Sequence, residues 1–203
     1  MSGSESNQAF PVVVGISGGS GSLLAKRTIE RLLDLEVPVA ATCSNAARMV
    51  WQEEMLVPFR DALAAWQEHP LFTYHAIGDV KAPIASGTYP TRGMIVVPCS
   101  TATVAAMANG VSTNLLHRAT DVCIKEGRKL VIVPRETPLS VIHLENMLKL
   151  QRIGATILSP EPGFYLRPQT IEDVVEFLAA RALVAIGVTP TMGEDQTYRQ
   201  RTE

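Results

Sequence analysis

The sequence has few of the residues that build disulfide frameworks or metal sites. Three cysteines occur, at positions 43, 99 and 123, and none lies in CxxC spacing. This odd number argues against both a disulfide framework and a zinc ribbon, and it favours a reducing, cytoplasmic setting. The four histidines form no HExxH motif, and the acidic residues form no DDxxD motif. We therefore expect no obligatory metal.

Charge of one sign and long apolar runs are also scarce. The formal net charge is -2 over 203 residues, and no run of five or six like charges occurs. This pattern argues against nucleic-acid or membrane-surface binding. No segment approaches the roughly 20 apolar residues that cross a bilayer. The hydrophobic fraction of 46% suits one domain, expected over 11–188, with a disordered extension at 1–10 and a tail at 189–203.

Short apolar runs alternate with segments of helical periodicity. Strands are predicted at 11–16, 37–43, 72–77, 93–98, 129–134 and 155–158. Helices are predicted at 23–35, 44–54, 61–68, 101–108, 115–125, 140–153 and 170–186. Because the strands are apolar on both faces, they predict a single-domain, flavodoxin- or Rossmann-like α/β protein, whose parallel sheet carries helices on both faces.

Ligands of such sheets bind beyond the carboxyl ends of the strands. Glycines and hydroxyls cluster there: the turn Ser17-Gly18-Gly19-Ser20-Gly21, then Ser44, Ser100 and Thr101. Such a turn aims backbone N–H groups at an anion. The turn completes neither GxGxxG nor GxxxxGK[ST], which argues against an ordinary NAD fold and a nucleoside triphosphatase. A phosphorylated ligand and a purely structural turn both fit these residues.

Four cationic side chains could accompany a phosphate: Arg118, Lys125, Arg135 and Arg181. Arg135 directly follows a predicted buried strand. Glu54 and Glu136 are candidates for proton transfer if burial raises their pKa values. A solvated surface position is the alternative for each of these charged residues.

Two further side chains stand in motifs. Tyr165, in PGFYLRP, offers an aromatic face and a hydroxyl for a phosphate, or simply packs at a loop corner. His143 is expected to be a structural, hydrogen-bonded histidine rather than a base. Its helix is predicted to turn three apolar residues toward the core: Val141, Leu144 and Leu148.

Several segments together resemble the UbiX family of flavin prenyltransferases. They are GISGGSGS, CSNAARMV, APIASGT, VVPCSTATVAAMANG, NLLHRATDVCIKE, LVIVPRETPLSVIHLENMLKL and GATILSPEPGFYLRPQTIEDVVEFLAAR. They occur in order from about residue 12 to 188, and the PRETP-to-HLENM block with PGFY is the most specific part. The resemblance implies an oligomer, usually a dodecamer, in which FMN and dimethylallyl phosphate meet at a junction of subunits.

Carried onto matching positions, the resemblance implies a role for each site residue. The FMN-binding set is Gly18, Gly19, Ser20, Ser44, Ser100, Thr101 and Arg135. The set that binds the prenyl phosphate is Ser86, Gly87, Arg118, Lys125, Arg135, Glu136, Tyr165 and Arg181. The catalytic set is Glu54, Glu136 and Ser20.

The implied reaction joins a dimethylallyl group to N5 and C6 of reduced FMN without a metal. The prenylated FMN then serves a UbiD-type decarboxylase. The sequence departs from several relatives in two places: Val80 stands where they carry an aromatic residue, and the tail lacks a tryptophan. Both departures concern the wall and closure of the prenyl pocket.

Two other functions fit the same broad fold. A flavin-dependent cysteine decarboxylase would carry PASANT and PxMNxxMW motifs, but PCSTAT and PRETP stand here. A flavin-binding carrier or decarboxylase subunit that performs no chemistry itself is the second alternative. The candidate catalytic and phosphate-binding residues favour an enzyme.

Overall fold

The computed structural model describes residues 10–193 and 196–197. The expected N-terminal extension lies almost wholly outside these residues, as does much of the expected C-terminal tail. The described residues contain a six-stranded, fully parallel sheet in the order β3-β2-β1-β4-β5-β6. Its strands are β1 Val12–Ile16, β2 Val39–Cys43, β3 Phe72–Tyr74, β4 Gly93–Cys99, β5 Leu130–Pro134 and β6 Thr156–Ile157.

Helices cover both faces of this sheet. They are α1 Ser22–Asp34, α2 Asn45–Glu54, α3 Phe59–Gln67, α4 Thr101–Ala108, α5 Leu115–Lys125, α6 Val141–Arg152 and α7 Ile171–Ile186, with 3-10 helices at Pro83–Ala85 and Phe164–Leu166. One core packs α1, α2, α3 and α7 on one face, and the second packs α4, α5 and α6 on the other. The predicted fold class is confirmed. No helix among the described residues is long and apolar enough to span a membrane.

Serine and threonine caps fix where the site-bearing helices begin. The hydroxyls of Ser44, Ser100 and Thr170 each accept a backbone N–H three residues ahead. At α6, Ser140 and the side chain of His143 form a reciprocal capping box. His143 is therefore a structural, hydrogen-bonded residue, as predicted.

The prediction for the apolar residues of α6 is wrong. Val141, Leu144 and Leu148 are 66%, 52% and 46% exposed, while Asn146 and Leu150 are buried. The helix packs through the stripe that contains Asn146 and Leu150, so the larger apolar stripe faces outward. Among the described residues, no apolar side chain covers this outer face.

The stretch 55–92 contains regular structure, as the helix predicted at 61–68 and the strand predicted at 72–77 indicate. It contains α3, β3 and the first 3-10 helix. Its aromatic residues explain this order, because Trp51 contacts Phe59 and Trp66 edge-on, with ring centroids 5.3 and 5.9 Å apart. Trp51 is fully buried, and α3 is thereby fixed beside α2.

Candidate active site

The main cavity lies beyond the carboxyl ends of the strands and measures about 960 Å³. Its floor is formed by residues after β1, β4, β5 and β6, and its sides by α1, α6, α7 and the end of α2. Four of the predicted site residues line it: Ser20, Glu54, Arg135 and Glu136. This position follows from the topology, since β1 and β4 are neighbours and their crossover connections leave in opposite directions.

Glu54 binds the N-terminus of α1. Its carboxylate accepts the backbone N–H of Ser22 at 2.7 Å and that of Gly21 at 3.0 Å. Partial burial alone would raise the pKa of Glu54, but hydrogen bonds from the Ser20 hydroxyl and these amides outweigh it, so the pKa is lowered. The raised pKa considered for Glu54 is therefore absent, and Glu54 is an ionised hydrogen-bond acceptor beside Ser20.

The anion that these amides bind is thus a side chain of the same protein. Of the two interpretations of the glycine turn, binding of a ligand phosphate would need free N–H groups, but Glu54 takes up the first amides of α1. Two other helix N-termini stand at the same edge of the sheet, where α2 begins after Ser44 and α4 after Ser100. They are the positions left for a ligand phosphate.

Close backbone contacts bring the glycine turn against both of these helix starts. A Cβ on Gly18 would lie 2.7 Å from the Cβ of Ala46, in the first turn of α2. A Cβ on Gly19 would lie 3.3 Å from the carbonyl carbon of Cys99, just before α4. Glycine at both positions therefore lets the turn pack closely against both helix starts, and we call this junction of three strand ends the glycine cradle.

Ser17 connects the two halves of this cradle, a role that the sequence alone does not indicate. Its buried hydroxyl oxygen accepts the backbone N–H of Ser100 at 2.8 Å. The hydroxyl itself points toward the carbonyl of Pro98, at 3.3 Å. The signal in the sequence is its place directly after β1, but the partner lies 83 residues away and cannot be read from the sequence.

The side walls of the cavity are apolar, and most of the charged side chains that line it are acidic. Its largest apolar lining residues are Leu23, Leu24, Met55, Leu139, Met147, Ile157, Ile171, Val175 and Leu178. Three carboxylates line it, from Glu54, Glu136 and Glu161, against one cation, Arg135. One arginine beside three carboxylates is a poor site for a phosphate dianion, so this face of one chain lacks the cations that such a group needs.

The remaining phosphate-binding candidates form a second group along α5. Arg118 donates from Nε to the carbonyl of Ala85 at 3.0 Å, next to Ser86. Gly87 lies against the end of α5, where a Cβ would fall 2.5 Å from Lys125 Nζ. The structure therefore brings Ser86, Gly87, Arg118 and Lys125 to one side of the helix.

This second group does not line the main cavity. Lys125 ends α5 five residues before β5 begins, so it lies toward the amino ends of the strands, opposite the cavity. The five-residue strand β5 spans about 17 Å. Within one chain, Lys125 and Arg135 therefore belong to two different surfaces.

Tyr165 and Arg181 both lie outside the main cavity. Tyr165 lies in the second 3-10 helix and is 55% exposed. Arg181 lies on the exposed side of α7. Neither lines the main cavity, nor a smaller one of about 280 Å³ between the second 3-10 helix and α7.

The three thiols are unsuited to nucleophilic chemistry. Cys43, Cys99 and Cys123 are all buried, and burial raises the pKa of each to about 12. They stay protonated at neutral pH. Among the described residues, no group of three or more His, Cys, Asp and Glu side chains is arranged to hold a metal ion.

A parallel sheet with a glycine cradle and serine-capped helices at its switch point is typical of nucleotide-binding α/β proteins. Residues 1–183 match the family model described as Flavoprotein. A flavin prenyltransferase UbiX from Alkalihalophilus pseudofirmus is 47% identical over 188 residues, which cover 89% of this chain and 93% of that protein. The chain belongs to the UbiX flavin prenyltransferase family, a family of enzymes.

Solved structures support the same assignment. AnUbiX (PadA1), in complex with FMN and dimethylallyl pyrophosphate, superposes with a TM-score of 0.86 at 35% identity, covering 96% of this chain and 99% of that one. A dodecameric FMN-dependent UbiX-like decarboxylase from Escherichia coli O157:H7 gives 0.82 at 40% identity, covering 88% and 95%.

Cysteine decarboxylases share only the fold. The FMN-dependent cysteine decarboxylase TvaF superposes with a TM-score of 0.58 at 16% identity, covering 88% of this chain and 98% of that one. At this identity the likeness carries no function.

Proposed function

We propose that this protein transfers a dimethylallyl group from dimethylallyl phosphate to N5 and C6 of reduced FMN, and that the prenylated FMN serves a UbiD-type decarboxylase. The observation that carries the proposal is the apolar cavity in which Ser20 and Glu54 stand on one side and Arg135 and Glu136 on another. The complex of AnUbiX with FMN and dimethylallyl pyrophosphate supports FMN and a phosphorylated dimethylallyl donor as the ligands.

The flavin would lie in the glycine cradle. Gly18 and Gly19 let this turn lie directly against the starts of α2 and α4, because a Cβ at either position would meet Ala46 or Cys99. The N-termini of α2 and α4, with Ser44, Ser100 and Thr101, would hold its phosphate. The reduced isoalloxazine supplies the nucleophilic atoms N5 and C6 when it is bound.

The protein side chains would position the reactants and handle protons. Glu54 is ionised and fixed by α1, so it would accept a proton released as the new N–C bond forms, with Ser20 beside it. Arg135 would hold the leaving phosphate, and Glu136 would protonate it. The apolar walls would exclude water from the allyl group as its C–O bond breaks.

The phosphate site would be completed by other copies of the chain. The cavity alone has one cation, whereas Arg118 and Lys125, and separately Arg181, stand on other surfaces. We propose a homo-oligomer, and specifically a dodecamer, the assembly of the UbiX-like decarboxylase from Escherichia coli O157:H7. The uncovered apolar face of α6 supports such contacts.

Phosphate release tests the reaction. Dimethylallyl phosphate, incubated anaerobically with the protein, should release inorganic phosphate only when reduced FMN is present, one phosphate for each flavin modified. Arg60→Ala is the control, since Arg60 is exposed and pairs with its chain neighbour Asp61. Release that ignores the flavin would contradict prenyl transfer.

Mixed oligomers test the shared site. Arg135→Ala and Lys125→Ala should each be nearly inactive alone. When co-expressed, they should regain activity, because some sites then combine an intact Arg135 with an intact Lys125 from another copy. Failure to regain activity, with mixed oligomers demonstrated by mass, would contradict a phosphate site shared between copies of the chain.

A further inference from the structure

The loop at residues 86–91 is held by one side chain that has no part in the proposed reaction. Arg128 donates from Nη1 to the carbonyl of Tyr89 at 2.9 Å and to the hydroxyl of Thr91 at 3.2 Å. Its Nη2 donates to the carbonyl of Gly87. A single guanidinium thus binds three points of the loop that carries Ser86 and Gly87.

The backbone of Arg128 is itself fixed. Its N–H donates to the carbonyl of Cys123 at 2.8 Å, and the N–H of Gly127 donates to that of Ile124 at 3.2 Å. Gly127 has φ 62°. These bonds form the left-handed helix end that glycine favours, so α5 stops at a defined place. The guanidinium therefore starts from a rigid base, two residues before β5.

The loop lies close to the end of α5 at Gly87. A Cβ on Gly87 would collide with Glu126 Oε1 and would lie 2.5 Å from Lys125 Nζ. The ammonium of Lys125 forms an ion pair with Glu126. Any displacement of the loop would change the distance between Ser86 and this ammonium, which are two of the proposed phosphate-binding groups.

We infer that Arg128 is a positioning residue that holds Ser86 and Gly87 against Lys125. This group of proposed phosphate-binding residues is then already in place before the prenyl donor binds. The inference rests on the proposed function, and it adds a residue that acts through others rather than by touching the donor. Hydrogen-bonding groups that are already in position bind an anion without a further entropic cost of ordering them. Arg128 would therefore govern donor affinity and leave flavin affinity alone.

The chemistry requires arginine at this position. The guanidinium is planar and directs several N–H groups at once, whereas a lysine ammonium is a point charge on a flexible stem. Arg128→Lys retains the charge but cannot hold three separated acceptors in one plane. Arg128→Ala removes all three bonds and keeps the backbone that Gly127 fixes.

The chain offers a matched control. Arg92 is also an arginine that donates to a backbone carbonyl, that of Gly187, at 3.2 Å. It therefore holds a different segment of the chain, the end of α7. Arg92→Ala reproduces the loss of an arginine–carbonyl bond while all three bonds from Arg128 to the loop stay in place.

The test measures three quantities on the oligomeric, full-length protein: KM for dimethylallyl phosphate, Kd for FMN, and amide hydrogen exchange of residues 86–91. Arg128→Ala should raise KM at least about tenfold. This is the effect expected when one or two hydrogen bonds to the charged phosphate of the prenyl donor are lost. Exchange in the loop should accelerate, while Kd for FMN stays unchanged. Arg128→Lys should give an intermediate KM, and Arg92→Ala should match the unmodified protein.

The outcomes separate this inference from the proposed function. An unchanged KM in Arg128→Ala, or full donor affinity in Arg128→Lys, would overturn the positioning role while prenyl transfer stands. Faster loop exchange without any change in KM would also overturn it, since the loop would then not govern the donor. If the unmodified protein transfers no prenyl group, the proposed function fails, and the premise of this inference fails with it.

Discussion

The contact between Gly18 and Ala46 yields a sharp test of the flavin cradle. In Gly18→Ala, the new Cβ would lie 2.7 Å from the Cβ of Ala46 and 3.4 Å from its carbonyl carbon. Carbon atoms in contact prefer about 3.5–4.0 Å. Neither group is the end of a flexible side chain, so the first turn of α2, with Ser44 at its cap, must move away from β1.

The cost follows from this displacement. Overpacking of this kind typically destabilises a protein by about 1–3 kcal/mol. In a domain of this size, each kcal/mol lowers Tm by about 2–4 °C. Because Ser44 moves with α2, FMN affinity should fall together with stability. Thermal unfolding and flavin titration measure the two effects. Gly78→Ala is the control, since nothing lies within 4 Å of a Cβ there.

A second substitution decides whether the contact is the cause. Ala46→Gly removes the opposing Cβ and alone costs up to about 1 kcal/mol in helix propensity. In the double variant, stability and FMN affinity should recover relative to Gly18→Ala. Independent sites add within about 0.5 kcal/mol. Additive losses in the double variant would refute the argument from this contact.

Four other substitutions test the site. Glu54→Gln should lower the free energy of unfolding by about 1 kcal/mol at neutral pH. Because the folded-state pKa of Glu54 is lowered, this difference should be complete above the ordinary carboxyl pKa and should disappear as the pH falls through the lowered one. Measurement of stability against pH in the acid range would show this. Gly87→Ala displaces only the flexible ends of two side chains, so it should leave Tm within about 2 °C of the Gly78→Ala control. It should nevertheless raise KM for dimethylallyl phosphate. Equal KM values in Gly87→Ala and Gly78→Ala would contradict the placement of the loop at the phosphate site. Glu136→Gln should keep FMN binding but slow turnover, and Arg135→Ala should weaken use of the donor; unchanged steady-state rates in both would remove these residues from the site.

The order of elements could be predicted because the local signals agree. Each buried strand is a short apolar run, and the caps at Ser44 and Thr170 mark their helices at the predicted positions. Strand β6 is the weak case: it forms only at Thr156–Ile157, although the apolar pattern predicts 155–158. It pairs on one side alone, with β5.

The direction of the α6 face could not be predicted in this way. Val141, Leu144 and Leu148 follow helical spacing, which shows that they share a face but not what covers it. The helix instead buries Asn146, whose side-chain oxygen accepts a hydrogen bond from Asn109 at 3.4 Å. An apolar stripe that another copy of the chain would cover is as hydrophobic as one that packs on the chain's own core, so the sequence pattern does not distinguish them.

The candidate site was predictable residue by residue but not in its connections. The segments after β1, β4 and β5 identify Ser20, Ser100 and Arg135 as candidates. The bond from Ser22 to Glu54 spans 32 residues, and no periodicity reveals it. For the same reason, the role of Glu54 as an ionised acceptor at α1 emerges only from the fold.

The mass of the flavin is the most direct test of prenyl transfer. The purified protein is mixed anaerobically with reduced FMN and dimethylallyl phosphate, without added magnesium, and the flavin is analysed by mass spectrometry. We expect a flavin heavier by one C5H8 unit, with phosphate as the other product. Unmodified flavin, also with the diphosphate donor and magnesium present, would contradict prenyl transfer and leave a flavin carrier as the better description.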